Sequence, residues 1–211
     1  MTELVFILDR SGSMGGLEQD TIGGFNSMLR KQKKQPGEAL VSTVLFNNHS
    51  VVVHDRVPLE QVQPMTEEEY CVGGTTALLD AVGGAIKHIG MVHKYARPED
   101  RPEKTLFVIT TDGMENASHK YTYEKVRQMI AHEKEKHGWE FLFLGANIDA
   151  AKEAERFGIE ADRAADYHCD KQGTALNYEV IGDVVANVRA CRAMPKNWKA
   201  RIDADYQKRG K

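Results

Sequence analysis

The sequence predicts an α/β domain built on a mostly parallel sheet, and three observations carry this. Short apolar runs alternate with amphipathic stretches along the chain. The runs are continuous rather than alternating, as in strands covered on both faces. One pair of runs is separated by only four polar residues, which suits a hairpin, so one strand is expected to run antiparallel.

The elements follow in order. Leu4-Val5-Phe6-Ile7-Leu8 is the first strand, and Ile22, Phe25 and Leu29 mark one face of the first helix. Leu40–Phe46 and Val51–Val57 are the hairpin pair, joined by Asn47-Asn48-His49-Ser50. Leu78, Val82, Ile86 and Ile89 mark the second helix, with Ala81 and Ala85 beside them. Leu106-Phe107-Val108-Ile109 is the fourth strand, Val126, Met129 and Ile130 mark the third helix, and Phe141-Leu142-Phe143-Leu144 is the fifth strand. A short helix from Asp149 to Arg156 is expected to stop at Gly158. A weaker sixth strand lies at Ala164 to His168. Leu176, Val180, Val184, Val188 and Cys191 make a stripe on a helix from about Gln172 to Ala193, and Pro195 blocks its continuation.

Composition bounds the rest. The chain has 211 residues, 41% hydrophobic and 28% charged, which suits one globular domain and excludes disordered and collagenous classes. No apolar run reaches the ~18–20 residues of a membrane span, and the start of the chain has neither the basic region nor the cleavage site of a secretory signal. The net charge of −3 does not announce nucleic acid as a partner. It is uneven, however: residues 194–211 carry Lys196, Lys199, Arg201, Lys208, Arg209 and Lys211 against Asp203 and Asp205. We therefore divide the chain into a domain over 1–193 and a basic tail over 194–211, with Trp198 expected to dock on the domain. Cys71, Cys169 and Cys191 are odd in number, widely spaced and without a CxxC, so reduced thiols and a cytoplasmic location are expected.

Ligands of an open parallel sheet bind beyond the carboxyl ends of its strands. Asp9-Arg10-Ser11-Gly12-Ser13 follows the first strand, Gly73-Gly74-Thr75-Thr76 opens the second helix, and Thr110-Thr111-Asp112-Gly113 follows the fourth strand. These loops offer two carboxylates and several hydroxyls, hard oxygen donors that suit Mg²⁺ or Mn²⁺. Each motif alone has a plainer reading: Ser11 or Ser13 as a helix cap, Thr75 or Thr76 as an N-cap, Asp112-Gly113 as a turn. An EF-hand loop starting at Asp9 would need Gly and Glu where Met14 and Asp20 stand. A phosphatase of the haloacid dehalogenase type would need a second Asp where Ser11 stands. The one other cluster to check is His168-Cys169-Asp170, after the sixth strand.

In these three motifs the sequence resembles the von Willebrand factor A (VWA) domain, including integrin I domains, over about residues 2 to 193. The family's metal-ion-dependent adhesion site is D-x-S-x-S, a Thr from a second loop and an Asp from a third. The resemblance implies Asp9, Ser11, Ser13, Thr75 (with Thr76 as the alternative) and Asp112 as the metal set. It further implies a doubly wound, Rossmann-like sheet of about six strands with one antiparallel edge and helices on both faces. Ser11, Ser13 and Thr75 would ligate through hydroxyls, and Asp9 and Asp112 through waters and hydrogen bonds. One position would remain for a partner's carboxylate.

The expected function is therefore an intracellular module that binds an Asp or Glu of a partner protein through Mg²⁺ or Mn²⁺, with no chemical step. Two alternatives come from other classes. A metal-dependent hydrolase would need a general base, for which Glu115 is the nearest candidate in sequence. A nucleic-acid binder would use the basic tail, which has few interleaved aromatics beyond Trp198 and Tyr206.

Overall fold

The first strand, β1 (Thr2–Asp9), is buried at every residue and organises the sheet. The computed structural model describes residues 1–210, so Lys211 of the basic tail lies outside the described residues. The other strands are β2 (Ala39–Phe46), β3 (Ser50–Pro58), β4 (Lys104–Thr111), β5 (Glu140–Gly145) and β6 (Ala164–Asp166), in the order β3-β2-β1-β4-β5-β6. All neighbours are parallel except β2 and β3, the expected hairpin. The chain leaves β1 toward β2 on one side and reaches β4 on the other. The carboxyl ends of β1 and β4 are thus a topological switch point, where open sheets of this kind bind ligands.

Helices cover both faces: α1 (Glu18–Gln32), α2 (Leu78–Tyr95), α3 (Tyr123–His137), α4 (Ala150–Phe157), α5 (Lys171–Arg189) and α6 (Ala200–Arg209). Alternate residues of β1 feed the two cores. Leu4, Phe6 and Leu8 pack with Phe25 and Leu29 of α1 and Val180, Val184 and Val188 of α5. Val5 and Ile7 pack with Val82, Ile86 and Ile89 of α2, Val126 and Ile130 of α3, and Phe157 of α4. This is the doubly wound, mostly parallel α/β fold with one antiparallel edge that the sequence predicts. Among the described residues no helix is long and apolar enough to cross a membrane.

Two boundaries differ from expectation. Helix α5 ends at Arg189, and Cys191 leaves the buried stripe. Cys191 takes a left-handed conformation (φ 54°) and is exposed. The amide of Arg192 bonds back to Asn187 O and that of Cys191 to Val188 O, a closure that usually employs glycine. The other difference is α6. The tail is helical from Ala200, and Met194, Trp198 and Ile202 belong to the same apolar cluster as β1 and α5. Trp198 docks on the domain as expected, its Nε1 donating to Asp162 O at 2.8 Å. Three of the tail's cations are engaged internally: Arg201 pairs with Glu179, Arg209 pairs with Asp170 and Asp205, and Lys199 donates to Ala161 O and Ala164 O.

Arg189 explains how α5 is locked to α1. Its guanidinium donates to the carbonyls of Gln32, Gln35, Pro36 and Gly37 and to Gln32 Oε1. These include backbone acceptors that a helix C-terminus leaves without partners. Removing the fork leaves the carbonyl of buried Gln32 without its donor, so Arg189→Ala should lower unfolding stability by about 1–3 kcal/mol. Arg189→Lys should recover less than half of that, because an ammonium cannot span the set. Urea denaturation reads both. A loss below about 0.5 kcal/mol would show that water replaces the fork without penalty.

Candidate functional site

The loops after β1 and β4 start side by side. Leu8 pairs with Thr110, which brings Asp9 level with Thr111. Asp9 is 2% exposed. Its Oδ1 accepts from the Ser11 amide at 2.7 Å and its Oδ2 from Thr111 Oγ1 at 2.6 Å. Tyr70, itself buried, donates its hydroxyl to Asp9 O. Burial pushes the Asp9 carboxyl above its ordinary value, and the negative charge of Asp112 adds to the effect. The Ser11 and Thr111 hydrogen bonds oppose it only in part.

Neither serine is a helix cap. Ser11 precedes the turn Gly12–Met14 and makes no side-chain capping bond there, and the residue before α1 is Leu17. The Ser11 and Ser13 hydroxyls instead meet at 3.1 Å, and Ser13 Oγ donates to Asp112 Oδ1 at 2.6 Å. Ser11 is buried, Ser13 is exposed, and Asp112 is 2% exposed. The two plain readings of the serines and of Asp112 therefore give way to one shared cluster.

The second loop places its two threonines differently. Thr75 is exposed, whereas Thr76 is buried. A Cβ built on Gly113 would lie 3.5 Å from Thr76 Oγ1 and 3.7 Å from Ser13 Oγ, so Thr76 is the threonine that faces the serines and the Asp112 loop. Neither threonine caps α2, whose preceding residue is Ala77. Gly74 explains the path: it sits at φ 80°, and a Cβ there would meet Asn48 Oδ1 at 2.3 Å.

Polar struts, invisible as such in the sequence, hold the loops together. Asn116 grips Thr76 from both ends, accepting from its amide at 2.9 Å and donating to its carbonyl at 3.0 Å. Gly12 N donates to Gly74 O, Gly73 N to Arg10 O, and Asn47 Nδ2 to Gly73 O. Glu115 serves the fold. Its Oε1 accepts from the amides of Ala117 and Ser118, and its Oε2 from the Leu79 amide and Ser118 Oγ, at 2.7–2.9 Å. This carboxylate has four donors, one of them at the N-terminus of α2, and is occupied by them.

The last arrival is Cys169. The sequence isolates it, but β6 stands beside β5 and β5 beside β4, so the loop after β6 opens at the same edge. Cys169 Sγ lies 3.6 Å from Asp112 Oδ2. Burial and the charge of Asp112 push its thiol up to about 12.

The fit to a cation rests on the carboxylates. Among the described residues no lysine or arginine pairs with Asp9 or Asp112, although both are buried. Buried anions are normally paired or bound to metal. No three His, Cys, Asp or Glu side chains among the described residues form a metal site by themselves; the hydroxyls are needed to complete a donor set.

Neither a protein-family model nor a curated protein matches the sequence. Solved structures do. Proximal thread matrix protein 1 from the mussel byssus aligns at TM-score 0.60 and 13% identity over 88% of this chain and 46% of that one. A von Willebrand factor type A structure from Catenulispora acidiphila aligns at 0.60 and 13%, over 88% and 43%. The vWF domain of the pilus tip protein Mfa5 from Porphyromonas gingivalis aligns at 0.61 and 9%, over 87% and 94%. The chain has a VWA-like fold. It spans less than half the length of the first two chains. The mussel protein also has a structure with a zinc-occupied metal-ion-dependent adhesion site (MIDAS).

Glu115→Gln tests the structural role of that carboxylate. An amide nitrogen cannot accept from Leu79 N or from the Ala117 and Ser118 amides, so stability should fall by about 1–2 kcal/mol in thermal or urea unfolding. An unchanged melting temperature would mean that the carboxylate is dispensable for the loop.

Proposed function

We propose that this chain is a protein-binding module that takes up a divalent cation at Asp9, Ser11, Ser13, Thr76 and Asp112 and through it holds an acidic side chain of a partner protein. The observation that carries the reading is the pair of buried carboxylates without a basic partner among the described residues, ringed by hydroxyls at the switch point of the sheet. The VWA-like fold supports an interaction module, and the zinc-occupied MIDAS of the mussel protein supports a metal in such a site.

Each residue has a distinct task. Ser11, Ser13 and Thr76 offer neutral hydroxyl oxygens, which neutralise none of a cation's charge. Asp9, fastened by Ser11 N and Thr111 Oγ1, and Asp112, fastened by Ser13 Oγ, provide oriented negative charge. A bound divalent ion would supply an electrophilic position able to accept an external carboxylate oxygen. The oxygen donors by themselves suit Mg²⁺ or Mn²⁺. Ser13 is exposed, so the site is open to a macromolecule. The hydrolase alternative loses its candidate base, because Glu115 is occupied by four donors.

Ion binding should be visible as thermal stabilisation near neutral pH. Asp9→Ala and Asp112→Ala should abolish the rise, and Thr76→Ala should weaken it while Thr75→Ala leaves it intact. If saturating Mg²⁺, Mn²⁺ and Zn²⁺ all leave the melting temperature of the unaltered chain unchanged, the metal reading fails. For the partner, capture should be lost with EDTA, and replacing the partner's single contacting Asp or Glu by Ala should cost about 2–5 kcal/mol.

The pH dependence has a definite sign. The folded state holds the Asp9 proton more tightly than the unfolded chain does. In the metal-free protein its ionisation therefore costs stability as pH rises through the ordinary carboxylate range and on through the raised value. A cation and a proton compete for the same carboxylate, so the ion-induced rise in melting temperature should be full near neutrality and shrink on acidification. A rise that stays constant down to the ordinary carboxylate range would place the ion elsewhere.

A further inference from the structure

Cys169 reaches the site on a loop that is fixed from both sides. Asp170 caps α5 by accepting from Gly173 N at 2.8 Å and pairs with Arg209 of α6. His168 stacks on Tyr206 of α6, with ring centroids 4.7 Å apart and planes at 26°. The loop also lies directly on the first turn of α5: a Cβ at Gly173 would fall 2.1 Å from His168 O. The thiol between these anchors has little freedom to swing away.

Its position is shared with the oxygen cluster. Asp112 uses Oδ1 toward Ser13 Oγ and Oδ2 toward Cys169 Sγ. Sulfur and hydroxyl thus flank one carboxylate of the proposed metal set. Ser13 and Cys169 also line the same open cleft, together with Gly16, Asn147, His168 and Asp170. Cys169 is only partly buried, so it can be approached from that cleft. Hard oxygen donors select Mg²⁺ or Mn²⁺, whereas a thiolate selects zinc-like, thiophilic ions.

We propose that Cys169 is a sulfur donor to the cation held by Asp9, Ser11, Ser13, Thr76 and Asp112, which makes this an oxygen–sulfur site that prefers Zn²⁺ to Mg²⁺. The inference rests on the metal-binding reading above and adds the donor that sets its selectivity. As the metal–sulfur bond forms, the S–H bond breaks and its proton passes to solvent; no oxidant or reductant is involved.

The test uses the 211-residue chain with the two exposed thiols removed, Cys71→Ser and Cys191→Ser, so that Cys169 is the single sulfur nucleophile. Cd²⁺ and Zn²⁺ are the probes, with Mg²⁺ for comparison. Cd²⁺ should produce a sulfur-to-metal charge-transfer absorption that saturates at one equivalent. Adding Cys169→Ala should abolish the band and weaken Zn²⁺ binding by roughly 10-fold or more, while the Mg²⁺-induced rise in melting temperature persists and certifies the fold. Adding Asp112→Ala instead should also remove the one-equivalent band. Two results would overturn the proposal while leaving the oxygen site standing: no band in the parent, or unchanged Zn²⁺ affinity in Cys169→Ala, with the Mg²⁺ response intact in each case. A band that survives Asp112→Ala places the sulfur–metal contact elsewhere and overturns it too. Failure of every ion to shift the parent's melting temperature overturns this proposal together with the reading beneath it.

Discussion

Two carboxylates of like charge close neighbouring strands at the centre of the sheet, and among the described residues neither has a basic side chain to offset it. Asp9 and Asp112 are both 2% exposed, so water cannot screen them freely. Holding ionised groups in such a place depends on hydrogen-bond donors or on a cation. The chain commits an amide, two hydroxyls and a thiol to them directly, from Ser11, Thr111, Ser13 and Cys169. The structure around this edge follows from that commitment, because the donors come from the loop after β1, the end of β4 and the loop after β6.

Delivery is the work of polar groups that never touch the cluster. Asn116 fixes both backbone ends of Thr76. Asp80, in the first turn of α2, accepts from the amides of His119, Lys120 and Tyr121 and so ties the loop after β4 to that helix. Glu115 closes the same loop on itself and on α2. Each gathers backbone amides of one loop onto the first turn of α2 or onto Thr76. Among the acidic residues of this edge, those that brace the loops have full sets of donors, while Asp9 and Asp112 converge on each other.

The face of α5 and α6 is coupled to the same edge. Below Asp9 lies a small cavity, about large enough for one water, lined also by Thr174 and Asn177 of α5. Thr174 Oγ1 and Asn177 Oδ1 have no protein partner. At the opposite end of α5, Arg189 grips the C-terminus of α1, and α6 clamps the loop that carries Cys169 through Tyr206 and Arg209. The segment after Ala193 is therefore built into the domain's core through Met194, Trp198 and Ile202, and its two arginines are turned to intramolecular pairs.

The sequence by itself determined the sheet, the hairpin at its edge and five of the six helices, and it placed Asp9, Ser11, Ser13 and Asp112 at strand ends that meet. It could do so because burial on two faces imposes continuous apolar runs and because Asp9, Ser11, Ser13 and Asp112 lie at strand ends that topology brings together. Only tertiary structure decided the rest. Thr75 and Thr76 are chemically identical neighbours, and the choice rests on the Gly74 turn and the Asn116 clamp, both made by residues distant in sequence. Helix α6 carries a weak apolar pattern and gains its place from Trp198 and Ile202 docking on α5 and β6. Glu115 reads as a candidate base until its four donors are seen. Cys169 and Asp112 stand 57 residues apart, and only the adjacency of β4, β5 and β6 puts sulfur on the carboxylate. Periodicity reports local burial, whereas convergence at a site depends on the register and order of strands, which no single stretch of sequence encodes.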